Sequence, residues 1–453
     1  MSSITGFKAY DYRGRIPSEL NPEVAYRIGR AYAEFLEPRR VIVGRDIRLS
    51  SAELCTALTQ GLLDSGVDVH DIGLCGTEIV YFATFSEGMD GGIMVTASHN
   101  PPDYNGMKFV REQSRPISGD TGLKDIQRIA EADAYSTPAR QGKRTELDVR
   151  AKYIEHLLSY LDRAKLKKMK IVVNAGNGGA GLIVDQLEPH LPFEFIKINH
   201  PPDGRFPHGV PNPMLEDNRI PTIEAIRAHK ADLGVAWDGD YDRCFLFDAS
   251  GEFIEGYYIV GLLASVFLKR EAGARIVHDP RLTWATLDIV ESLGGKAVMS
   301  KSGHAFMKDV MRQADAVYGG EMSAHHYFRR FGYCDSGQIP WLLVAQLMCE
   351  TGQSLSAMVG ERIARFPASG EINRRVKDAP ATIAKAQAQY QASAARVDFT
   401  DGLSMEFERW RFNLRSSNTE PLIRLNVESR GDAALMRART AELLELIGGE
   451  PAH

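Results

Sequence analysis

Short apolar runs alternate with helix-like stretches along most of the chain, and the same order recurs. Arg40-Val41-Ile42-Val43-Gly44 is apolar, the polar turn Asp46-Ile47-Arg48-Leu49-Ser50 follows, and a helix-like stretch runs to Leu63. Gly66 introduces a second apolar run, Val67 to Ile72, which ends at Gly76-Thr77. A similar unit opens at Arg275-Ile276-Val277-His278. It turns at Asp279-Pro280-Arg281-Leu282-Thr283, continues helically to Leu293, and reaches Ala297-Val298-Met299 and Gly303-His304 through Gly294-Gly295. A third begins at Lys170-Ile171-Val172-Val173, with Asn174 to Gly179 as its turn. Apolar strands alternating with helices predict βαβ units, right-handed crossovers, and ligand contacts at the carboxyl ends of the strands.

The pattern breaks near Pro367, Ser369 and Gly370, which punctuate a boundary. Beyond it, Ala381 to Ala395 is helix-prone, with Pro380 suited to a helix start. Trp410 to Leu414 and Leu422 to Val427 read as strands, and Ala433 to Ile447 as an amphipathic helix. Elements segregated in this way predict a small α+β domain. At 453 residues the chain exceeds one ordinary core and implies three or four domains.

Composition narrows the function. A net charge of −5 with 25% charged residues argues against a nucleic-acid or anionic-membrane binder. Affinity for an anion must come from local cations. Cys55, Cys75, Cys244, Cys334 and Cys349 are scattered and read as reduced thiols of a cytoplasmic protein. No apolar run is long enough to span a bilayer.

The chemistry follows the apolar runs: Ser98, Asp238 and Glu321 each stand after one, in a different copy. Thr96-Ala97-Ser98-His99-Asn100-Pro101 puts a hydroxyl on a short turn. Asp238-Gly239-Asp240-Tyr241-Asp242-Arg243 puts three carboxylates at alternating positions, with a glycine to let the backbone bend. Three hard oxygens suit Mg²⁺. Together they suggest phosphoryl transfer through a phosphoserine. Gly-x-Ser-x-Gly and P-loop patterns are absent, so neither hydrolase-type serine chemistry nor a P-loop nucleotide site has support.

Thr96 to Pro101 resembles the active-serine loop of the α-D-phosphohexomutases, and Asp238 to Arg243 their metal loop. Gly320-Glu321-Met322-Ser323-Ala324-His325 is similar to their sugar-recognition loop, and Arg415-Ser416-Ser417-Asn418-Thr419-Glu420-Pro421 to their phosphate-binding loop. These span nearly the whole chain in the family's order, nearest to the bacterial phosphomannomutase/phosphoglucomutase branch. The resemblance implies a four-domain architecture around a central active-site cleft: three similar α/β domains with mixed sheets, then a C-terminal α+β domain. The phosphoserine loop falls in 1–145, the metal loop in 150–252, the sugar loop in 253–366 and the phosphate loop in 370–453.

It also implies roles. Ser98 carries the phosphate and contacts a Mg²⁺ held by Asp238, Asp240 and Asp242. Arg243, His99 and Lys108 compensate charge beside it, and His325 handles the proton. Glu321 and Ser323 grip two sugar hydroxyls, with Gly303, His304 and Arg281 nearby and Tyr10 and Arg13 reaching in from the first domain. Arg415, Ser417, Asn418 and Thr419 anchor the non-reacting phosphate through a guanidinium fork and short donors. The implied activity interconverts mannose 6-phosphate and mannose 1-phosphate, and the corresponding glucose phosphates, through a hexose 1,6-bisphosphate. The partners are small hexose phosphates, with no nucleic acid or membrane, and the implied state is a monomer. Met322 departs from the usual glutamine of phosphoglucosamine mutases, and the sugar loop from that of acetylglucosamine-phosphate mutases. A non-catalytic sensor would lack the serine or an aspartate, and a phosphatase needs no sugar or phosphate loop. Tyr12, Pro102 and Tyr241 depart from commoner family spellings without removing a ligand.

Overall fold

A computed structural model describes residues 4–416 and 422–452. The chain folds into two compact units, residues up to 253 with 330–351, and residues 254–329 with the chain from 352 onward.

The first unit carries two mixed sheets. One runs in the order Tyr12–Arg15, Tyr104–Arg111, Gly91–Val95, Arg40–Arg45, Asp68–Leu74, Arg144–Glu146. The last four are mutually parallel and the first two antiparallel to their neighbours. In the second sheet, Cys244–Phe247 pairs antiparallel with Leu233–Trp237, which lies parallel to Lys170–Asn174, followed by Glu194–Ile198. Helices Pro22–Leu36 and Ser51–Leu63 pack on each other beside the first sheet. Gly29 and Gly61 permit this, because a Cβ would meet Leu58 O at 2.4 Å or Tyr26 O at 2.2 Å.

In the second unit, Lys296–Met299, Arg275–His278 and Tyr318–Gly320 are parallel, and His326–Phe328 closes antiparallel on Tyr318–Gly320. An all-antiparallel sheet follows, in the order Arg396–Asp398, Leu403–Glu406, Trp410–Ser416, Leu422–Ser429, Ile372–Arg375, Glu450–Pro451. Leu403, Met405, Phe412, Leu414, Ile423, Leu425 and Val427 form its buried face with Leu443 from helix Ala433–Ile447. Alternate strand residues reach one face, which is why the apolar positions alternate here.

The repeat legible in the sequence is a repeat of topology. Numbered within each copy, four strands lie in the order 4-3-1-2, with the fourth antiparallel to the third. Ser98, Asp238 to Asp242, and Glu321 to His325 all fall in the loop joining strand three to strand four.

Candidate functional site

In the first unit, Val95 ends a fully buried strand and the chain turns back at Pro101 into the antiparallel Tyr104–Arg111. Arg48 shapes this turn. Its guanidinium donates to the carbonyls of Pro101 (2.7 Å), Tyr104 (2.9 Å), Ser98 (3.0 Å) and Asn100 (2.5 Å). Arg13 supports the same loop, donating to Ala97 O and Asn100 Oδ1 and to Asp11 at 2.8 Å. Held in this way, Ser98 takes a left-handed φ of 49°, while its N–H donates to Thr96 Oγ1 at 2.9 Å. Tyr241 (φ 47°) and Ala324 (φ 71°) are left-handed in the equivalent loops. Such conformations cost a non-glycine residue about 1–3 kcal/mol and persist where surrounding structure dictates them, as in functional loops.

The second loop lies against the first. Ser98 Oγ donates to Asp238 Oδ2 at 2.8 Å. Gly239 keeps an ordinary backbone conformation; its role is close approach, since a Cβ there would sit 2.2 Å from Ser98 O. Tyr241 points away from the carboxylates. Its hydroxyl accepts from Gly76 N at 2.7 Å, its ring fills the space a Cβ on Gly76 would take, and Thr77 Oγ1 donates to Asp240 Oδ2.

Asp238, Asp240 and Asp242 are all buried and bring carboxylate oxygens within 4.8 Å of one another. Two cations offset them. Lys108 Nζ lies 2.7 Å from Asp240 Oδ2 and 2.6 Å from Asp242 Oδ2; Arg243 binds Asp238 Oδ2 through Nε (2.9 Å) and Nη2 (2.8 Å). Burial opposes the Lys108 charge, but the two carboxylates outweigh it and raise its pKa. Burial pushes Asp238 up against the pull of Arg243, whereas Lys108 and Thr77 hold Asp240 below the usual carboxylate range despite its burial. Asp240 Oδ1 is buried with no hydrogen-bond partner among the described residues. A hard anionic oxygen left in this way fits a small divalent cation. His99, exposed, places Nδ1 3.0 Å from Ser98 Oγ and against Arg243 Nη2.

The second unit holds Gly303, His304, Arg281, Glu321, Ser323, His325 and Arg415. Glu321 follows strand Tyr318–Gly320. Its carboxylate accepts from Gly303 N (2.7 Å) and from the Tyr327 hydroxyl (2.5 Å), with His325 Nδ1 at 3.6 Å. Gly303, at φ 117°, opens helix His304–Gln313, and the rings of His304 and His325 lie 6.5 Å apart. Arg281 is buried; it binds Asp279 at 2.7 Å, donates to Ser323 Oγ at 3.2 Å and approaches Glu321 at 3.6 Å. Arg415 stands near the end of strand Trp410–Ser416 and binds Glu371 at 2.9 Å. His326, next to the loop, is a packing residue: it meets the Tyr318 hydroxyl at 2.7 Å, and burial pushes it down to about 3. Tyr10 is half-buried. Ser417, Asn418 and Thr419 lie outside the described residues.

Sequence reasoning missed Arg48, Thr77, Asp279, Tyr327 and Glu371. Asp279 stood beside Arg281 in a noted turn and could have been found. Arg48, Thr77 and Glu371 act across long sequence separations, and Tyr327, in the strand just after the Glu321 loop, carries no local signal to single it out.

Four family models match in order: phosphoglucomutase/phosphomannomutase alpha/beta/alpha domain I over residues 5–136, domain II over 151–251, domain III over 255–366, and the C-terminal domain over 371–445. The chain is 59% identical over 455 residues to a phosphomannomutase of Escherichia coli, covering 99% of this chain and 100% of that protein. It is 58% identical over 450 residues to a protein of Xanthomonas campestris named phosphohexose mutases, with 99% and 100% covered. A solved structure of a phosphoglucomutase/phosphomannomutase family protein from Burkholderia thailandensis shares 33% identity at a TM-score of 0.88, with both chains fully covered. The chain therefore belongs to the phosphoglucomutase/phosphomannomutase family, the four-domain phosphohexomutases, and is an isomerase.

Proposed function

We propose that the protein interconverts mannose 6-phosphate and mannose 1-phosphate, and also the glucose pair, through phosphorylated Ser98. The observation that carries this reading is Ser98 Oγ at 2.8 Å from a buried carboxylate of a three-aspartate cluster. A phosphoserine holds about −1.5 to −2 charges at neutral pH. Arg243 on Asp238 and Lys108 on Asp240 and Asp242 supply compensating positive charge, whereas desolvation and the Arg243 charge push His99 well below its ordinary pKa and leave it a neutral hydrogen-bonding neighbour of Ser98. Mg²⁺, held by Asp238, Asp240, Asp242 and Ser98, would supply electrostatic stabilisation of the transferring phosphoryl group.

The phosphoryl group leaves Ser98 Oγ for the free C1 or C6 hydroxyl of a hexose monophosphate, whose proton passes to a base. The hexose 1,6-bisphosphate so formed turns over and returns its other phosphoryl group to Ser98. His325 is the base, and Glu321, 3.6 Å from Nδ1, stabilises its charged form. Lys108, held charged by two carboxylates, serves as a counter-charge. Glu321 and Ser323 grip the sugar; Gly303, His304, Arg281, Tyr10 and Arg13 complete its surroundings; Arg415 with Ser417, Asn418 and Thr419 holds the non-reacting phosphate. A grip of this kind does not read C2, so both sugars fit.

We assign the four domains to 1–145, 150–252, 253–366 and 370–453, and the protein to the cytoplasm as a monomer. Five buried free thiols support that compartment. No helix among the described residues is long and apolar enough to cross a membrane. The assay is incubation of mannose 1-phosphate with a trace of glucose 1,6-bisphosphate. Mannose 6-phosphate is expected; free phosphate as the product would overturn the reading.

A further inference from the structure

Arg415 and Arg424 are direct register partners on adjacent antiparallel strands, so their side chains share one face. Like charges placed opposite each other repel, and a third guanidinium, Arg281, lies close by. One carboxylate meets all three. Glu371 Oε2 is 2.9 Å from Arg415 Nη2 and 3.5 Å from Arg281 Nη1, and Oε1 is 3.4 Å from Arg424 Nη1. Only 8% of its side chain is exposed, against 12% for Arg415 and 2% for Arg281. Glu371 immediately precedes strand Ile372–Arg375, which pairs with the strand carrying Arg424. The backbone thus fixes where the carboxylate stands.

The contacts leave one guanidinium edge unused. Arg281 is matched by Asp279 at 2.7 Å. Arg415 and Arg424 both turn to the one carboxylate of Glu371. Arg415 gives Nη2 to Glu371, while its Nε is buried with no hydrogen-bond partner among the described residues. That is a donor left for a ligand, on a guanidinium oriented by its other edge. Burial works against the Glu371 charge, but Arg415, Arg281 and Arg424 outweigh it and hold its pKa down to about 2, so the clamp stays ionised at neutral pH.

We propose that Glu371 is the positioning residue of the phosphate anchor: it presets Arg415 and Arg424 for the non-reacting phosphate and ties them, through Arg281, to the sugar-binding Glu321 and Ser323. This rests on the reading of Arg415 as a phosphate ligand. The buried links are Glu371 to Arg281 at 3.5 Å, and Arg281 to Glu321 at 3.6 Å and to Ser323 at 3.2 Å. Preorganised guanidiniums forgo the ordering cost that free side chains meet on binding. Without Glu371, the two arginines repel and lose that orientation.

The test measures calorimetric binding of glucose 1-phosphate in a Ser98→Ala background, where nothing turns over, together with KM and kcat in the otherwise native enzyme. Glu371→Gln is expected to weaken binding about tenfold and to raise KM in step, with kcat changed by about twofold or less. Glu371→Asp keeps the charge on a shorter arm and is expected to recover most of the loss, remaining about threefold weaker than native. Binding by Glu371→Gln that is unchanged or tighter overturns the proposal, as does a fall in kcat at constant KM. If the glutamine variant fails to fold, native affinity in Glu371→Asp overturns it. Arg415→Ala separates the two ideas. Native affinity in that variant refutes the phosphate reading itself, whereas weak binding by Arg415→Ala beside native binding by Glu371→Gln refutes only the role of Glu371.

Discussion

Replacing Lys108 by methionine removes a charge while retaining most of the buried stem. Its Nζ lies 2.7 and 2.6 Å from Asp240 and Asp242, with 5% of the lysine side chain and at most 2% of either carboxylate exposed. Little of these groups is open to water that could replace the lost partner. Removing one member of a buried pair costs about 3–5 kcal/mol, because the remaining charge stays buried and unmatched. Each kcal/mol shifts the midpoint of a domain of about 150–250 residues by roughly 2–4 °C, so the chelated variant should melt at least about 6 °C below native. A divalent cation replaces the missing charge. Magnesium at about a hundredfold over its dissociation constant adds about 2.7 kcal/mol to any protein that binds it only when folded. In native protein Lys108 competes for the same oxygens, so magnesium should raise the midpoint of Lys108→Met more than that of native protein. Differential scanning calorimetry of both proteins in EDTA and in magnesium makes the comparison. Equal midpoints in EDTA, or a magnesium shift no larger in the variant, would refute the assignment of these carboxylates as a cation site compensated by Lys108.

Three further outcomes are expected. Asp240→Asn removes one hard ligand charge and should weaken calorimetric Mg²⁺ binding about tenfold or more; native affinity would make the loop a structural turn. Burial pushes Glu78 up to about 8, even though Ser336, Tyr153 and Gly337 favour its charged form. Its unfolded value is near 4.3. The folded pKa is raised, so its stabilising contribution is full below about pH 4.3 and is lost as pH rises through about 8. The native-minus-Glu78→Gln difference in unfolding free energy should therefore fall by about 4 kcal/mol across that window, and a flat difference would place a charged Glu78 in the folded state. Tyr241→Phe leaves the Gly76 N–H without its 2.7 Å acceptor and should cost about 1–3 kcal/mol by denaturant unfolding; no loss would mean that the hydroxyl does not anchor the metal loop.

The elements most legible in the sequence were those whose pattern is local. Arg275–His278 and Ala433–Ile447 form over the residues their periodicity predicts, and Lys170–Asn174 extends the predicted run by one. Helix Ala379–Tyr390 stops short of the predicted Ala395, because its alanine-rich continuation leaves the helix at Gln391 and turns toward strand Arg396–Asp398. The candidate site loops stand out because each follows a buried strand and concentrates polar side chains. What shapes them was not. Arg48 lies some fifty residues from the carbonyls it gathers beneath Ser98, and Tyr241 meets a glycine far earlier in the chain. Gly239 reads as a hinge in one dimension and is a close contact in three. Glu371 carries no local pattern that marks it, and only strand register shows it facing two arginines.

The account depends on where the phosphate resides during turnover. Incubation with glucose 1,6-bisphosphate, followed by intact-mass and peptide mass analysis, locates it. The expected result is one phosphate per chain, on the peptide containing Ser98, which disappears as hexose bisphosphate forms when a hexose monophosphate is added. Phosphate on another residue, or continued mutase turnover in Ser98→Ala, would contradict it.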